Sequence, residues 1–385
     1  MPALLPDVDP DGLLEYSVVY TDRALNHMSQ RFQRVMRDLS TMLREAYGAA
    51  AAVIVPGSGS FAMEAVARQF VQRQRVLVVR NGWFSYRWSQ IIEAGRLSDE
   101  VTVLKARRQG DGAQASFVPA PIDEVVDAVR RERPGVVFAP HVETSAGMLL
   151  PDDYLRRLAD AAHEVDALFV LDCIASGAAW VDMNAVGVDV LVSAPQKGWS
   201  ATPCAGFAML SPRALQRLEQ TTSDSFVCDL KKWHQMMQAY VGGGHAYHAT
   251  MPTDGLLHVR DAMLEAFAFG LPQLQAAQFE LGARVRASLA SRGVVSVAAR
   301  GFEAPGVVVA YTSEPDIQNA KRFVAAGVQI AAGVPLACDE GTPFMTFRLG
   351  LFGLDKLKDV PGAVARLDAA FDAVGLAVQP QAASA

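Results

Sequence analysis

The sequence contains few cysteines, and they form no recognisable pattern. Four occur in 385 residues, and no two are close enough for a CxxC spacing. A chain of this size does not depend on disulfides for its core, so isolated cysteines indicate reduced thiols. We therefore predict a cytoplasmic protein without a disulfide framework. The four are Cys173, Cys204, Cys228 and Cys338.

Targeting and membrane segments are also missing from the sequence. The opening stretch, MPALLPDVDPDGLLEYS, has neither the basic region nor the apolar region of a secretory signal. No segment is long and apolar enough to cross a bilayer. The formal net charge is -6 and the basic residues do not cluster, which argues against a general nucleic-acid binder. We expect neither a membrane nor a nucleic acid as partner.

Motifs for metals and nucleotides are absent as well. The seven histidines show no HExxH pattern and no cluster with cysteine, so we predict no metal site. There is no GxxxxGKS/T sequence and no complete GxGxxG. What the sequence does have is 51% hydrophobic and 20% charged residues, which is typical of a packed globular protein. Its length favours one large and one smaller domain.

Short apolar segments alternate with helical patterns along the first half of the chain. Each segment has the length and the Val, Ile and Leu content of a strand that is buried on both faces. The alternation predicts an α/β fold with a mostly parallel sheet between helices. The predicted strands are AAAVIVP (50–56), RVLVV (75–79), GVVFAP (135–140), ALFVL (167–171) and VDVLV (188–192).

Polar residues follow each of these strands. In an open α/β sheet, ligands bind outside the carboxyl ends of the strands, where loops and helix N-termini meet. The turn Gly57-Ser58-Gly59-Ser60 joins the first strand to a helix, and such a turn can bind a phosphate through its backbone amides. Because Gly and Ser are also common in ordinary turns, a capped turn without a ligand is the alternative for this segment alone.

Lys197 follows the fifth strand, in SAPQKGW. The chain contains seven lysines against 28 arginines, so lysine is not its usual basic residue. Taken singly, Lys197 could lie on the surface, and Asp172 after the fourth strand could cap a helix or face solvent. Together with the phosphate turn they form the protein half of a pyridoxal-phosphate site: an acid for the pyridinium nitrogen and an amine for a Schiff base. Arginine cannot replace that amine.

Three longer segments, ETSAGMLLP, LDCIASGAAWVDM and SAPQKGW, occur in this order along the chain. They resemble the class V aminotransferases of pyridoxal-phosphate fold type I, and most closely the alanine–glyoxylate and serine–glyoxylate branch. The resemblance extends from about Asn26 to Gly353. It implies a large domain with a mostly parallel mixed sheet between helices, a smaller α+β C-terminal domain, and pyridoxal 5'-phosphate as cofactor.

The resemblance implies a role for each matched residue. Lys197 would be the Schiff-base lysine, and Asp172 the partner of the pyridinium nitrogen. Thr144 matches a Ser/Thr position near the cofactor ring and its phenolic oxygen. Phe84 matches an aromatic residue that stacks on the ring; the alternatives are that Trp83 stacks there or that both aromatics belong to the core. The implied phosphate ligands are Ser58, Gly59, Ser60 and Gln196.

Two later segments imply a shared site and a substrate clamp. AYHATMP resembles a YHHTxP segment of the family, so Tyr247 and Thr250 would reach the phosphate of the neighbouring subunit in a homodimer. A glycine-rich loop leading into a helix is the structural alternative. MTFRLGLFG resembles the strand that carries the family's substrate-binding arginine, so Arg348 would hold a carboxylate with two parallel hydrogen bonds. A half-exposed surface arginine is the alternative there.

The N-terminal stretch LLEYSVVYTDRALNHMS departs from the GPGP-type segment with which the family usually opens. We therefore expect a different contact with the substrate side chain, and the candidates are Tyr20, Thr21, Arg23 and Asn26. The predicted division is an N-terminal segment that contributes to the substrate pocket, a large cofactor-binding domain and a small C-terminal domain. Their ranges are 1–25, 26–255 and 256–385.

The implied function is transamination from a small, alanine- or serine-like amino acid to a 2-oxo acid such as glyoxylate or pyruvate. One alternative is a pyridoxal-phosphate lyase such as a cysteine desulfurase, which needs a thiolate nucleophile; Cys338 is the candidate. The other is a non-catalytic binding protein with the same fold. Loss of Lys197 or Asp172 would be its signature, and both residues are present.

Overall fold

Apolar segments rich in Val, Ile and Leu form the longer strands of the chain. The computed structural model describes residues 13–378. Its strands are β1 (Ala51–Pro56), β2 (Val76–Arg80), β3 (Val101–Lys105), β4 (Arg107–Arg108), β5 (Phe117–Val118), β6 (Val136–Pro140), β7 (Val142–Glu143), β8 (Met148–Leu149), β9 (Leu168–Asp172), β10 (Val190–Ser193), β11 (Ala205–Leu210), β12 (Val307–Tyr311), β13 (Ala331–Ala332) and β14 (Thr346–Gly350).

Amphipathic segments between the strands form helices whose apolar faces are buried. The first of them begins at Ser29, whose side chain accepts a hydrogen bond from the backbone of Phe32, and ends at Gly48 in a left-handed conformation. The helices are α1 (Gln30–Tyr47), α2 (Gly59–Phe70), α3 (Trp83–Gly95), α4 (Ile122–Glu132), α5 (Asp152–Glu164), α6 (Met183–Val186), α7 (Pro212–Gln220), α8 (Leu230–Val241), α9 (Thr253–Phe269), α10 (Leu271–Ser291), α11 (Pro315–Gln318), α12 (Lys321–Ala325), α13 (Leu354–Leu357) and α14 (Val360–Ala373).

Seven strands form the central sheet, in the order β1-β11-β10-β9-β6-β2-β3. Neighbours pair in parallel except at β11, which is antiparallel to both β1 and β10. Every residue of β2, β6, β9 and β10 is buried, which is why these strands are continuous apolar runs. The predicted mostly parallel sheet is confirmed, and its five predicted strands agree with β1, β2, β6, β9 and β10 within two residues at each end.

A second, three-stranded antiparallel sheet follows the long helices α9 and α10, with β14 between β12 and β13. The sequences GVVVAYTS and FMTFRLG supply β12 and β14, as their patterns indicate. The proposed domain boundary at residue 256 falls inside α9 and stays a prediction. Residues 1–12 and 379–385 of the predicted ranges lie outside the described residues.

The parallel arrangement places the ends of several strands at one edge of the sheet. Asp172 ends β9, and in the register of the sheet it lies beside Pro140 of β6 and Val192 of β10. The segments that follow β6, β9 and β10 therefore meet, and α2 begins close to them after β1. Within residues 13–378, no helix combines the length and the apolar composition that crossing a membrane requires.

Candidate active site

A cavity of about 490 Å³ lies at this edge of the central sheet, and residues of β14 line it as well. Residues that are far apart in the sequence meet there because the strand ends converge. The cavity brings together nine of the predicted site residues: Ser58, Gly59, Ser60, Phe84, Thr144, Asp172, Gln196, Lys197 and Arg348.

The turn between β1 and α2 has the features of an anion site. Gly57 has a φ of 117°, a conformation that favours glycine, and a Cβ there would lie 2.8 Å from the ring of Phe61. Ser58 precedes α2 in an extended conformation, and its hydroxyl makes no capping hydrogen bond to that helix. The positive end of the helix dipole and the hydroxyls of Ser58 and Ser60 are therefore available to a ligand in the cavity.

Asp172 is buried at the bottom of the cavity. Its Oδ1 accepts a hydrogen bond of 2.9 Å from the backbone of Ile174. Burial raises the pKa of the Asp172 carboxyl to about 7, because the charged form has lost its water. A cationic group placed against this carboxyl would stabilise the charged form and lower its pKa again.

Lys197 extends into the cavity from the loop after β10. The next residue is Gly198, where a Cβ would lie 2.1 Å from the carbonyl oxygen of Gly177, so glycine allows the two loops to approach. The Nζ of Lys197 lies 5.5 Å from the ring centroid of Phe352. Burial, and after it the charge of Arg348, lowers the pKa of the Lys197 ammonium. A lowered pKa increases the fraction of neutral amine, which is the nucleophilic form.

Phe84 lies in the first turn of α3 and lines the cavity, whereas Trp83 is not among the lining residues. Trp83 packs instead against Tyr86, with ring centroids 5.7 Å apart. The first turn of α3 is held by Glu143, a fully buried residue that the sequence analysis did not single out. Its carboxylate accepts hydrogen bonds from the backbone of Phe84 (3.1 Å) and of Ser85 (2.9 Å). Glu143 thus fixes the position of Phe84.

Arg348 lies in the middle of β14 and reaches the cavity from the small sheet. Its Nε donates a hydrogen bond of 2.8 Å to the carbonyl of Ala332 on the neighbouring strand. Within the described residues, no hydrogen bond is formed by its two terminal nitrogens, which are the donors that a carboxylate requires. Burial lowers the pKa of the guanidinium from its usual high value.

Arg87 is a third cation in the cavity, besides Lys197 and Arg348, and the sequence analysis did not predict it. It lies on α3, and its Nη1 donates a hydrogen bond of 3.0 Å to the Oγ of Ser60. The signal that could have located it is its spacing of three residues from Phe84, which places both side chains on one face of a helix.

Tyr247 and Thr250 do not line the cavity of their own chain. Their side-chain oxygens lie 3.1 Å apart, and 54% of Tyr247 is exposed. The ring of His27 lies 5.5 Å from that of Tyr247 and 5.6 Å from that of Tyr20. We call Tyr20, His27, Tyr247 and Thr250 the outer cluster.

The substrate contacts predicted for the N-terminal stretch are not made within the chain. The Nδ2 of Asn26 donates a hydrogen bond of 2.7 Å to Oε2 of Glu15, and the Tyr20 hydroxyl donates one of 3.1 Å to the carbonyl of Met251. Thr21 and Arg23 are exposed. None of these four residues lines the cavity, and their role in substrate binding stays a prediction.

Neither a reactive thiol nor a group of metal ligands is found in residues 13–378. Cys338 is not among the residues that line the cavity; it is buried, and its Sγ lies 3.4 Å from the carbonyl oxygen of Arg80. Burial raises the pKa of its thiol to about 12. A buried thiol in this state is not the exposed thiolate that a desulfurase needs.

The residues of the cavity fit pyridoxal phosphate. Asp172 supplies a buried acid for a cationic ring nitrogen, Lys197 supplies an amine of lowered pKa for an aldehyde, and the turn at Ser58 and Ser60 supplies donors for a phosphate. The Oε1 of Gln196 is buried and has no hydrogen-bond partner among the described residues. The volume of the cavity is in the usual range for sites that hold a small molecule.

Comparison with known proteins also indicates an aminotransferase. The family model described as Aminotransferase class-V matches residues 12–348. A 2-aminoethylphosphonate–pyruvate transaminase of Burkholderia ambifaria is 30% identical over 338 residues, which are 86% of either chain. The structure of an alanine–glyoxylate aminotransferase from Nostoc sp. has a TM-score of 0.76 at 22% identity and covers 90% of this chain and 88% of its own. That of an aspartate aminotransferase from Thermus thermophilus has a TM-score of 0.72 at 26% identity, with 90% and 92% covered.

Proposed function

The chain belongs to the class V aminotransferases, and on this premise we propose that it transfers the amino group of a small, alanine- or serine-like amino acid to a 2-oxo acid such as pyruvate or glyoxylate. It is a transaminase of fold type I, with pyridoxal phosphate as its cofactor. The observation that carries the proposal is that Lys197, Asp172 and the Ser58–Ser60 turn face one cavity. The names of the Burkholderia and Nostoc relatives support pyruvate and glyoxylate as acceptors.

Asp172 and Lys197 have separate tasks in this reaction. When bound, pyridoxal phosphate supplies an aldehyde that accepts amines and a ring that withdraws electrons from the adjoining carbon. Asp172 holds the proton on the ring nitrogen, since its buried carboxylate is stabilised by a positive charge beside it. Lys197 would hold the aldehyde, and its free amine would take the proton from the α-carbon of the amino acid. Its lowered pKa increases the fraction of neutral amine, the form that accepts a proton.

Other residues orient the ligands. Arg348 binds the α-carboxylate of the substrate with its two terminal nitrogens. Phe84 stacks on the cofactor ring from a helix turn that Glu143 holds in place. Thr144 lies on the cavity wall where it can donate a hydrogen bond to the ring oxygen, and Gln196 lines the same cavity, where its amide N–H group can donate to the phosphate.

A half-reaction screen tests the proposed substrates. The holoenzyme is mixed with single amino acids, and loss of the cofactor's visible absorption band is followed by stopped flow. We expect alanine or serine to convert the cofactor fastest and pyruvate or glyoxylate to restore the band. Aspartate and 2-aminoethylphosphonate are included because relatives carry these names. A faster conversion by either would replace the small amino acid in the proposal, and no conversion by any amine would contradict transamination itself.

A homodimer with shared sites is also part of the proposal. Phe61, which follows the turn directly, is 49% exposed, and Phe226 and Val227 are 72% and 55% exposed. His248 connects the segment of Tyr247 to that of Phe226 through a hydrogen bond of 2.8 Å. Apolar surface therefore lies both beside the turn and beside the outer cluster, which suits a contact between two copies. Sedimentation equilibrium that shows a monomer at micromolar concentration would contradict this part.

The location in the cytoplasm is likewise a proposal. It is supported by the four cysteines, all of which are free thiols in the structure. Cell fractionation that finds the protein outside the cytoplasmic fraction would overturn it.

A further inference from the structure

Arg87 is the one charged residue of the cavity that the roles above leave unassigned. It is half-buried on α3, one turn after Phe84, and its guanidinium carbon lies 5.3 Å from the centroid of the Phe84 ring. Its Nη1 donates a hydrogen bond of 3.0 Å to the hydroxyl of Ser60. Arg87 therefore connects the wall on which the ring is proposed to stack with the turn proposed to hold the phosphate.

Without Arg87, the turn would have no positively charged hydrogen-bond donor among the described residues. The phosphate of the cofactor is an anion, and the turn offers it only dipoles: backbone amides, the hydroxyls of Ser58 and Ser60, and the amide of Gln196. An anion that is partly removed from water needs a formal positive charge or a dense set of donors. Tyr247 and Thr250 of a second copy would add only neutral hydroxyls.

Three cations line the cavity, and two of them have other tasks. Lys197 anchors the aldehyde, so its charge is not free for the phosphate. Arg348 reaches the cavity from β14, where its Nε is held by the carbonyl of Ala332. Of the three, only Arg87 forms a hydrogen bond with a residue of the turn in the described part of the chain.

The guanidinium of Arg87 also lacks an acidic partner. No ion pair joins it to a carboxylate of residues 13–378, and its bond to Ser60 uses one of five N–H donors. The charge of Arg87 acts on Asp172 across the cavity, where it lowers the pKa of that carboxyl against the larger effect of burial. A half-buried guanidinium that contacts no carboxylate directly, next to a turn that has donors but no other cation, is complementary to a phosphate.

We propose that Arg87 is a cofactor-binding residue that pairs with the phosphate of pyridoxal phosphate and that Ser60 orients its guanidinium for this contact. The inference rests on the proposed placement of the cofactor in the cavity. It assigns the two arginines to different ligands: Arg87 to the cofactor and Arg348 to the substrate.

The test compares two forms of the cofactor. The protein is freed of cofactor, and the dissociation constants of pyridoxal phosphate and of pyridoxal, which lacks the phosphate, are measured by absorbance for wild type, R87K and R87Q. We expect R87Q to weaken pyridoxal phosphate about 10- to 100-fold and pyridoxal less than about 2-fold, with R87K between wild type and R87Q. Inorganic phosphate should slow cofactor loading of the wild-type protein. A higher phosphate concentration should be needed to slow loading of R87Q to the same extent.

R348K is the matched control, because it alters the other arginine near Phe84, whose guanidinium carbon lies 5.5 Å from the same ring but which forms no hydrogen bond with the turn in the described residues. It should leave the ratio of the two dissociation constants unchanged. Equal weakening of both cofactor forms by R87K and R87Q would show a purely structural role, and unchanged cofactor binding with a raised KM for the amino donor would show a substrate contact; either result overturns the inference. Circular dichroism identifies a variant that has not folded. If R87Q does not fold, the comparison of the two cofactor forms is made with R87K alone. A wild-type protein that binds neither form at Lys197 would instead contradict the proposed function.

Discussion

The cavity and the outer cluster differ in how far one chain can assemble them. The cavity is lined by the segments that follow β6, β9 and β10, by the N-terminal turns of α2 and α3 and by residues of the small sheet, and its acid Asp172 is 7% exposed. The outer cluster lies at the surface, and 54% of Tyr247 is exposed. Of the outer cluster, Tyr247 and Thr250 were predicted from the same family resemblance as the cavity residues. A chain can bring its own strand ends together, but residues that serve a neighbouring subunit remain at the surface until that subunit is present.

This difference has a chemical counterpart. In the cavity, burial changes the groups that react: it raises the pKa of Asp172 to about 7 and lowers that of Lys197. In the outer cluster the hydroxyls of Tyr247 and Thr250 share a hydrogen bond, and the role proposed for them is to donate to a phosphate. Changes in the cavity should therefore affect the chemical step, whereas changes in the outer cluster should affect retention of the cofactor.

The largest effect is expected for Lys197→Ala. Because no other amine lines the cavity in the described part of the chain, we expect transamination to fall by at least about 10,000-fold and the visible band of the bound cofactor to disappear. Steady-state assays and absorbance spectra measure both. Lys197→Arg, which keeps a positive charge but cannot bind the aldehyde, should be equally inactive. Normal turnover in either variant would contradict the assignment of Lys197 as the Schiff-base lysine.

Asp172→Asn should lower the turnover number by about 100- to 1,000-fold, since the amide no longer stabilises a positive ring nitrogen. The protein should still load cofactor, so the loss appears in single-turnover kinetics rather than in cofactor content. A variant as fast as wild type would show that Asp172 does not face the ring nitrogen.

The same residue predicts how the stability of the cofactor-free protein depends on pH. The folded carboxyl has a pKa of about 7 against an ordinary 3.8, so the folded state holds the proton more tightly than the unfolded state. Stability is then full below about pH 4 and falls as pH rises to about 7, by roughly 4 kcal/mol. Denaturant unfolding of wild type and Asp172→Asn at several pH values measures this. A wild-type slope that persists in the variant would assign it to other groups.

Arg348→Lys should raise the KM for the amino donor and reduce kcat/KM about 10- to 100-fold, because lysine cannot form two parallel hydrogen bonds to a carboxylate. Cofactor affinity should not change. An amine without a carboxylate serves as the control substrate and should react equally with both forms. If the variant loses cofactor instead, Arg348 does not bind substrate.

The smallest effect is expected in the outer cluster. It gives the most direct test of how the outer cluster differs from the cavity. Tyr247→Phe should weaken cofactor binding about 3- to 10-fold, the value of one neutral hydrogen bond.

A mixed dimer of a Lys197→Ala chain and a Tyr247→Phe chain shows whether Tyr247 serves its own chain or the neighbouring subunit. If Tyr247 serves the neighbouring subunit, the site with an intact Lys197 also has an intact Tyr247 and binds cofactor with wild-type affinity. If Tyr247 serves its own chain, every active site in the mixed dimer is weakened.

The sequence predicted the central strands well because their periodicity and apolar content are local properties. It did not single out β3 or β11, and the position of β11 depends on pairing with strands that are distant in the chain. Asp172 and Lys197 could be selected because each follows a locally predicted strand. Glu143 could not be selected in this way. Its role depends on the approach of its loop to the first turn of α3, which no local pattern encodes.

The cofactor attachment is the central claim, and chemical labelling tests it most directly. The holoenzyme is reduced with borohydride, which fixes an aldehyde to the amine that carries it, and the digested peptides are analysed by mass spectrometry. We predict a pyridoxyl-phosphate group on the peptide with Lys197 and on none of the other six lysines. A label on a different lysine, or no label in a protein that is loaded with cofactor, would contradict the account.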